Sequence, residues 1–144
     1  MVKYNIADKG KSWRIEKEDE ALVGKSVGDV FNGKELTHEL DGYELQIRGG
    51  SDNAGFPLSK NIEGIGLKRV LLKKGWGMHD NREGIRRRKT VRGKTISNTA
   101  ALINISVVKA GNKPLAEIFP EQNKPKEGKD PKKDGVKAEE KPAL

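Results

Sequence analysis

Several short segments alternate apolar and polar residues with a period of two, and this alternation constrains the fold more than any other feature. The apolar sets are Val2, Tyr4 and Ile6; Trp13 and Ile15; Tyr43, Leu45 and Ile47; and Ala101, Ile103, Ile105 and Val107. Such alternation puts one set on each face of a half-buried β-strand. GLKRVLLKKG, residues 66–75, is a further apolar run between glycines. Short strands at close spacing, with 17 glycines in the chain, predict a mainly β fold, either an antiparallel sheet or a small barrel.

Helical signals are weak, and we expect at most one or two short helices. An apolar series near helical spacing comprises Leu22, Val23, Val27 and Phe31. Because Gly24 and Gly28 interrupt this series, it allows a short helix at most. The stretch NKPLAEIFP, residues 112–120, predicts one helical turn after Pro114.

The C-terminal segment has little to bury. From Glu121 onward it carries seven lysines, six acids and three prolines. Packing cannot compensate for the entropy lost on ordering such a segment. We therefore predict one folded domain over residues 1–119 and a disordered charged tail over residues 120–144.

The positive charge of the chain is concentrated in one block. The net charge is +8, and residues 68–94 hold eleven Lys or Arg against Asp80 and Glu83, a local net charge of +9. Outside this block acids slightly outnumber bases. Such a block is typical of a nucleic-acid-binding surface, although a well solvated charged face would have the same composition.

Within this block, REGIRRRKTVRGKTIS, residues 82–97, reads as a strand, because Thr90, Val91 and Ile96 favour extended backbone. Side chains alternate along a strand. One face would then carry a stripe of four cations, Arg86, Arg88, Arg92 and Lys94. Arg87 and Lys89 would point the other way. Such a stripe can neutralise several phosphates of one nucleic-acid strand.

Trp76, between two glycines inside the basic block, has two interpretations. The indole could stack on an unpaired base, or it could cap the hydrophobic core. His79 lies nearby, but with His38 it makes only two histidines in the chain, and no carboxylate lies at ligand spacing. We expect no metal site and no cofactor.

Several other functions are disfavoured. There are no cysteines, which excludes disulfides and thiolate chemistry. VGKS at 23–26 resembles the end of a phosphate-binding loop, but Asp19 stands where that loop needs glycine. No catalytic constellation stands out, so we expect neither an enzyme nor a small-molecule substrate. With no 18-residue apolar run and no signal-peptide pattern, we expect a soluble intracellular protein without a membrane partner.

A second distinctive stretch is QIRGGSDNAGFPLSK, residues 46–60. We call residues 49–57 the signature segment; its turn-forming residues are Gly49, Gly50, Asp52, Gly55 and Pro57. The pattern predicts a strand that ends at Arg48 and a long loop of tight turns after it. Its glycine spacing fits no nucleotide-binding loop.

The signature segment resembles the motif G-G-x-D-x-x-G-x-P of the eukaryotic and archaeal small-subunit ribosomal protein family S6e. LLKKGWG and REGIRRRKTVRGKTISNTAALINISVVKAG are similar to the two following blocks of that family, in the same order. The resemblance covers roughly residues 1–119. Leu58 replaces the usual methionine, and Met78 to Asn81 replace a stretch that is basic in the family. The long basic C-terminal helix of eukaryotic members has no counterpart, so the chain resembles the short archaeal form.

The resemblance implies a small β-barrel that is a structural constituent of the small ribosomal subunit in the cytoplasm. Its partners would be ribosomal RNA and neighbouring ribosomal proteins. The expected RNA-binding residues are Arg69, Lys73, Lys74, Trp76, Arg82, Arg86, Arg87, Arg88, Lys89, Arg92 and Lys94. The signature segment would hold a rigid conformation against RNA or protein. The alternative function is that of a free-standing RNA chaperone or DNA-compacting protein, because charge alone does not distinguish these from a ribosomal component.

Overall fold

The computed structural model describes residues 1–18 and 21–124. Within them lie seven strands, two short 3-10 turns (Gly33–Glu35 and His38–Leu40) and one short α-helix. The elements are β1 (Val2–Asp8), β2 (Lys11–Lys17), β3 (Val30–Asn32), β4 (Glu44–Asp52), β5 (Leu67–Lys73), β6 (Arg86–Arg92), β7 (Ala100–Lys109) and α1 (Leu115–Ile118). The mainly β prediction is confirmed, and so is the helical turn after Pro114.

Five strands form one sheet in the order β2-β1-β7-β4-β3, and β5 pairs with β6 as a separate two-stranded ribbon. β1 and β7 run parallel, and the other neighbouring pairs are antiparallel. The expected antiparallel arrangement is therefore wrong at this pair. Parallel neighbours need a long crossover, and the whole central part of the chain supplies it here.

The predicted alternation places the core on one face of the sheet. Tyr4, Ile6, Leu45, Ile103 and Ile105 are buried there. The segments between the strands cover this face with further buried side chains, Leu22, Leu36, Leu40, Leu58 and Ile96. Because connecting segments cover the sheet, the core needs no second complete sheet.

Closure into a barrel is not confirmed. Among the described residues, no ladder joins the two edge strands β2 and β3. The side-chain amide of Gln122 occupies the edge of β2, where its oxygen accepts from the Arg14 N–H at 2.7 Å and its nitrogen donates to the Arg14 carbonyl at 2.7 Å. Asn123 donates to the Ser12 carbonyl at 2.6 Å. These side chains satisfy the edge in place of another strand.

The short helix allowed over Leu22 to Phe31 is wrong. Gly24 and Gly28 adopt positive φ, at 88° and 101°, which is incompatible with a right-handed helix. The segment instead turns and then enters β3. Leu22 and Phe31 are nevertheless buried in the core.

The predicted disordered tail, residues 120–144, lies outside the described residues from residue 125 onward. Residues 121–124 belong to the segment that holds the edge of β2.

Candidate nucleic-acid interface

The ribbon formed by β5 and β6 carries most of the basic block. Its antiparallel ladder runs from Leu67 opposite Arg92 to Lys73 opposite Arg86. Both strands contain β-branched residues, which favour extended backbone. The strand predicted within residues 82–97 is therefore confirmed over Arg86–Arg92, while residues 82–85 and 93–97 lie outside β6.

The ladder sorts the side chains of the ribbon onto two faces, because directly opposed residues of an antiparallel pair lie on the same side. Arg86 and Arg88 share a face, as their spacing predicted, and Arg92 shares its parity. The face continues onto β5 through Leu67, Arg69, Leu71 and Lys73. We call the group formed by Arg69, Lys73, Arg86 and Arg88, with Leu67 and Leu71, the basic face.

The basic face is open to solvent and not neutralised. All four of its cations are exposed, and none has an ion-pair partner within residues 1–18 and 21–124. Leu67 and Leu71, which lie among these cations, are 47% and 58% exposed respectively. This surface offers positive charge and apolar contact together, a combination suited to phosphates and to the sugars and bases beside them.

Two cations of the basic face are directly opposed. Lys73 pairs with Arg86 across the ladder, where like charges destabilise a sheet. Because both side chains are long and exposed, water weakens this repulsion without removing it. An external polyanion would convert this unfavourable contact into a favourable one.

The reverse face of the ribbon turns toward the body. Leu72 and Val91 line a cleft of about 450 Å³ with Phe56 and Pro57 of the signature segment, and Lys89 lines the same cleft. The face opposite the stripe, to which the sequence assigned Arg87 and Lys89, is therefore partly covered by the rest of the protein at Lys89.

The loop between β5 and β6 carries its own ion pairs. Arg82 donates to Asp80 at 2.7 Å, and Arg87 approaches the same carboxylate at 3.5 Å. Hydrogen bonds from the Arg82 side chain and backbone hold the pKa of Asp80 below its ordinary value. Arg82 and Arg87 are thus partly neutralised before any partner arrives, whereas the neighbouring Lys74 is exposed and unpaired among the described residues.

Trp76 lies in this loop and is 54% exposed. It is absent from the hydrophobic core of the described residues. Trp76 therefore does not pack within the hydrophobic core of the described residues, and base stacking stays a prediction.

Arg92 makes a buried ion pair with the signature segment. Its Nε donates to Asp52 Oδ2 at 2.7 Å, and the two side chains are only 15% and 1% exposed. A further guanidinium nitrogen donates to the Ile65 carbonyl at 3.1 Å. Arg92 therefore joins the base of the ribbon to the end of β4.

Asp52 organises the turn that follows it. Its Oδ1 accepts from the Phe56 N–H at 2.8 Å, and its own N–H donates to the Phe56 carbonyl at 3.1 Å. Burial alone would raise the pKa of this carboxyl. The hydrogen bond from Arg92, with those from the Phe56 and Ala54 amides, outweighs burial and lowers the pKa.

Lys94 lies beyond the end of β6 and also has a partner. Its ammonium contacts Glu63 Oε1 at 2.6 Å. The predicted stripe therefore divides into two parts. Toward the tip, Arg86 and Arg88 have no ion-pair partner among the described residues, and at the base Arg92 and Lys94 are paired.

The signature segment differs from its prediction in one respect, because β4 runs on to Asp52 instead of ending at Arg48. Gly49 and Gly50 lie inside the strand, and only Gly55 of the predicted turn glycines has positive φ, at 89°. A Cβ at Gly50 would overlap the Leu102 carbonyl oxygen of β7. Glycine is needed at position 50 because the neighbouring backbone is close.

Sequence reasoning missed some features of this surface. It counted no apolar residue of β5 toward the site, although the i, i+2 spacing of Leu67, Arg69 and Leu71 could have indicated one shared face. It also missed the neutralising roles of Asp52, Asp80 and Glu63. No local sequence pattern could have predicted the Asp52–Arg92 pair, because 40 positions separate the two residues.

The described part of the chain contains neither a cluster of metal-binding side chains nor a membrane-spanning helix. No three His, Asp or Glu side chains come together there in a way that could hold a metal ion. None of its helices has the length and apolar character needed to cross a membrane.

Comparison with known proteins gives a consistent result. The family described as ribosomal protein S6e matches residues 2–120. Small ribosomal subunit protein eS6 of Methanocaldococcus jannaschii is 46% identical over 120 residues, covering 82% of this chain and 90% of that protein. The proteins of the same name from Methanothermobacter thermautotrophicus and Nanoarchaeum equitans are each 44% identical, covering 81% and 84% of this chain and 94% and 91% of theirs. Because the family match spans residues 2–120 and these relatives are 44–46% identical over most of both chains, the chain belongs to the ribosomal protein S6e family.

Proposed function

We propose that this protein is a structural constituent of the small ribosomal subunit and that it binds ribosomal RNA through the basic face of the ribbon. The proposal assigns it no catalytic role. It places the protein in the cytoplasm, within the ribosome, beside other ribosomal proteins. The names of its archaeal relatives support the ribosomal assignment.

The main support for RNA binding is that the cations of the basic face have no ion-pair partner among the described residues. Arg69, Lys73, Arg86 and Arg88 gather on one side of a ribbon, and the described residues supply them with no acid. Phosphates that bind these side chains release condensed counterions, which favours binding.

The remaining predicted RNA-binding residues take different parts in this proposal. Lys74 extends the basic face at the tip. Arg82, Arg87 and Lys89 lie at its margins or on the reverse face and add to the local potential. Arg92 and Lys94, held by carboxylates at the base, position the ribbon and contribute little direct contact.

Salt dependence of RNA affinity tests this proposal. The probe is a transcript of small-subunit ribosomal RNA from M. jannaschii, the source of one relative. The logarithm of affinity should fall linearly with the logarithm of salt concentration, with about 0.7 to 0.9 of slope for each phosphate contacted. The double variant Arg86→Ala/Arg88→Ala should reduce that slope by about 1.4 to 1.8. Its thermal stability should equal that of the wild type or be slightly higher at low salt, because the repulsion between Lys73 and Arg86 is removed.

The matched control is Lys34→Ala/Lys113→Ala, which removes the same charge from exposed positions outside the ribbon. It should leave the salt slope close to that of the wild type. Equal effects of the two double variants would show that only total charge matters, and the basic face would not be the interface.

Sedimentation with small subunits distinguishes a built-in component from the free-standing chaperone or DNA-compacting protein. A structural constituent should remain with the subunit in a high-salt gradient. Release under those conditions would favour the alternative.

A further inference from the structure

The exposed indole of Trp76 forms one wall of a second cleft, of about 380 Å³, beside the base of the ribbon. Val27 and Leu58 supply apolar surface in this cleft. Leu58 is buried, whereas Trp76 remains more than half exposed. A large aromatic side chain held at the mouth of a partly apolar cleft is a surface on which another flat group can stack.

Positive and hydrogen-bonding groups complete the lining. Arg48 and Lys60 are exposed cations, and Ser59 and Asn61 add a hydroxyl and an amide. The Nε of Arg48 donates to Ser106 Oγ at 2.9 Å, which restrains the guanidinium. Of the described residues that line the cleft, none is acidic.

The elements that build this cleft come from separate parts of the chain. Arg48 lies in β4, residues 58–61 follow the signature segment, and Trp76 comes from the loop of the ribbon. The Ser59 N–H donates to the Arg92 carbonyl at 2.9 Å, which ties one wall to the base of β6. The cleft is thus adjacent to the interface proposed above and shares its sign of charge.

We infer that this cleft binds an unpaired nucleotide of RNA, with its base stacked on Trp76 and its flanking phosphates at Arg48 and Lys60. The inference rests on the proposed RNA-binding function and names the RNA feature recognised. Bases that are unstacked from a helix bind proteins by stacking on aromatic rings and by hydrogen bonds to their edges. Asn61, which lines the cleft and is exposed, supplies an amide for such an edge contact. The volume lies within the range of sites that hold small flat ligands, roughly 300–1,000 Å³.

The test compares two RNA hairpins that differ only at one bulged position. One carries 2-aminopurine there, and the other carries an abasic sugar, so the phosphate charge is the same. The full-length protein should bind the base-containing hairpin roughly tenfold more tightly, the size expected for one base stacked on one aromatic ring. Binding should also quench the 2-aminopurine fluorescence.

Variants at Trp76 assign this preference to the cleft. Trp76→Leu should abolish both the preference and the quenching, while Trp76→Tyr, which keeps an aromatic ring, should retain much of each. Because the indole is exposed, neither variant should change thermal stability. If Trp76→Leu nevertheless fails to fold, Trp76→Tyr and the unmutated protein still give the preference and the quenching.

Two results would overturn the inference. Equal affinity of the unmutated protein for the two hairpins would mean that the cleft does not take a base and serves something else, such as a side chain of a neighbouring protein. A preference that survives Trp76→Leu would place the base elsewhere.

If the broader RNA-binding proposal is wrong, the binding experiments should give a different result. In that case neither hairpin would bind with salt dependence, and Arg86→Ala/Arg88→Ala would not matter. If only the base preference is missing, salt-dependent binding should persist and respond to the basic-face variant.

Discussion

Two adjacent glycines of the signature segment, Gly49 and Gly50, have different surroundings. A Cβ at Gly50 would overlap the backbone of β7, whereas a Cβ at Gly49 would meet nothing within 4 Å. The two positions therefore make a matched pair in which one added methyl group probes close strand packing.

We expect Gly50→Ala to lower the free energy of unfolding by about 1–3 kcal/mol, because β4 and β7 must move apart to admit the methyl group. Gly49→Ala should leave stability unchanged or raise it slightly, since alanine restricts the unfolded chain. Urea unfolding of the two variants measures the difference. Equal destabilisation by the two substitutions would show that overlap with the Leu102 carbonyl is not what requires glycine at position 50.

Asp52 offers a test of the buried ion pair with Arg92. Its folded-state pKa is lowered, so the stabilisation it provides is present above the unfolded pKa of about 3.9 and is lost as pH falls through the folded value. Asp52→Asn should cost about 3 kcal/mol at neutral pH, because it removes the carboxylate that neutralises the largely buried Arg92 guanidinium and leaves that charge with only neutral acceptors such as the Ile65 carbonyl.

Urea unfolding of the wild type and Asp52→Asn at several pH values distinguishes the effect of the carboxylate charge on stability from that of side-chain shape. The stability difference should be largest at neutral pH and should shrink as the solution is acidified below about pH 4. A difference that stays constant across this range would show that the carboxylate charge is not what stabilises the pair.

The β5–β6 ribbon is held to the body at one end. At its base the Arg92 N–H donates to the Pro57 carbonyl at 2.9 Å, and the Ser59 N–H donates to the Arg92 carbonyl at 2.9 Å. At the tip, Lys73 and Arg86 pair with each other and carry like charge. Local stability should therefore fall along the ribbon from base to tip.

Native-state hydrogen exchange followed by NMR measures this gradient. Ladder amides near Val91 should exchange slowly, those near Arg86 should exchange faster, and those of β1 and β7 should be the slowest. Binding of RNA to the basic face should slow the amides near the tip. Protection in the whole ribbon equal to that of β7 would contradict the gradient.

The charge of the whole molecule is unevenly distributed, with the excess confined to residues 68–94. Repulsion within this block opposes folding, and salt screens it. The unbound protein should therefore gain thermal stability as NaCl rises from about 20 mM to about 300 mM. Relief of about 1 kcal/mol corresponds to roughly 4 °C in the unfolding midpoint.

Calorimetry of the basic-face variant Arg86→Ala/Arg88→Ala checks the source of this effect. The salt-dependent rise in its midpoint should be smaller than in the wild type, while Lys34→Ala/Lys113→Ala should behave like the wild type. An identical rise in all three proteins would trace the effect to general salt stabilisation.

Features that depend on near neighbours in the chain could be predicted without coordinates. Period-two alternation located β1, β2, β4 and β7, and the parity of Arg86 and Arg88 placed them on one face. Charge counting located the candidate interface, and the sequence blocks identified the family. The prediction of a short helix around Leu22 was wrong, because two glycines in this segment adopt positive φ, which a right-handed helix does not allow, whatever the apolar spacing.

Features that depend on residues far apart in the chain required the fold. Arg86 and Arg92 are chemically alike and share the same parity. The first is exposed and unpaired among the described residues, whereas the second is largely covered and paired with the buried Asp52. The parallel pairing of β1 with β7 and the close approach at Gly50 are likewise contacts between distant segments, and the exposure of Trp76 depends on how such segments pack. Local alternation and charge are properties of adjacent residues and can be read in order along the chain. Whether a cation is neutralised or left for a partner depends on which distant carboxylate the folded backbone brings within about 3 Å of it.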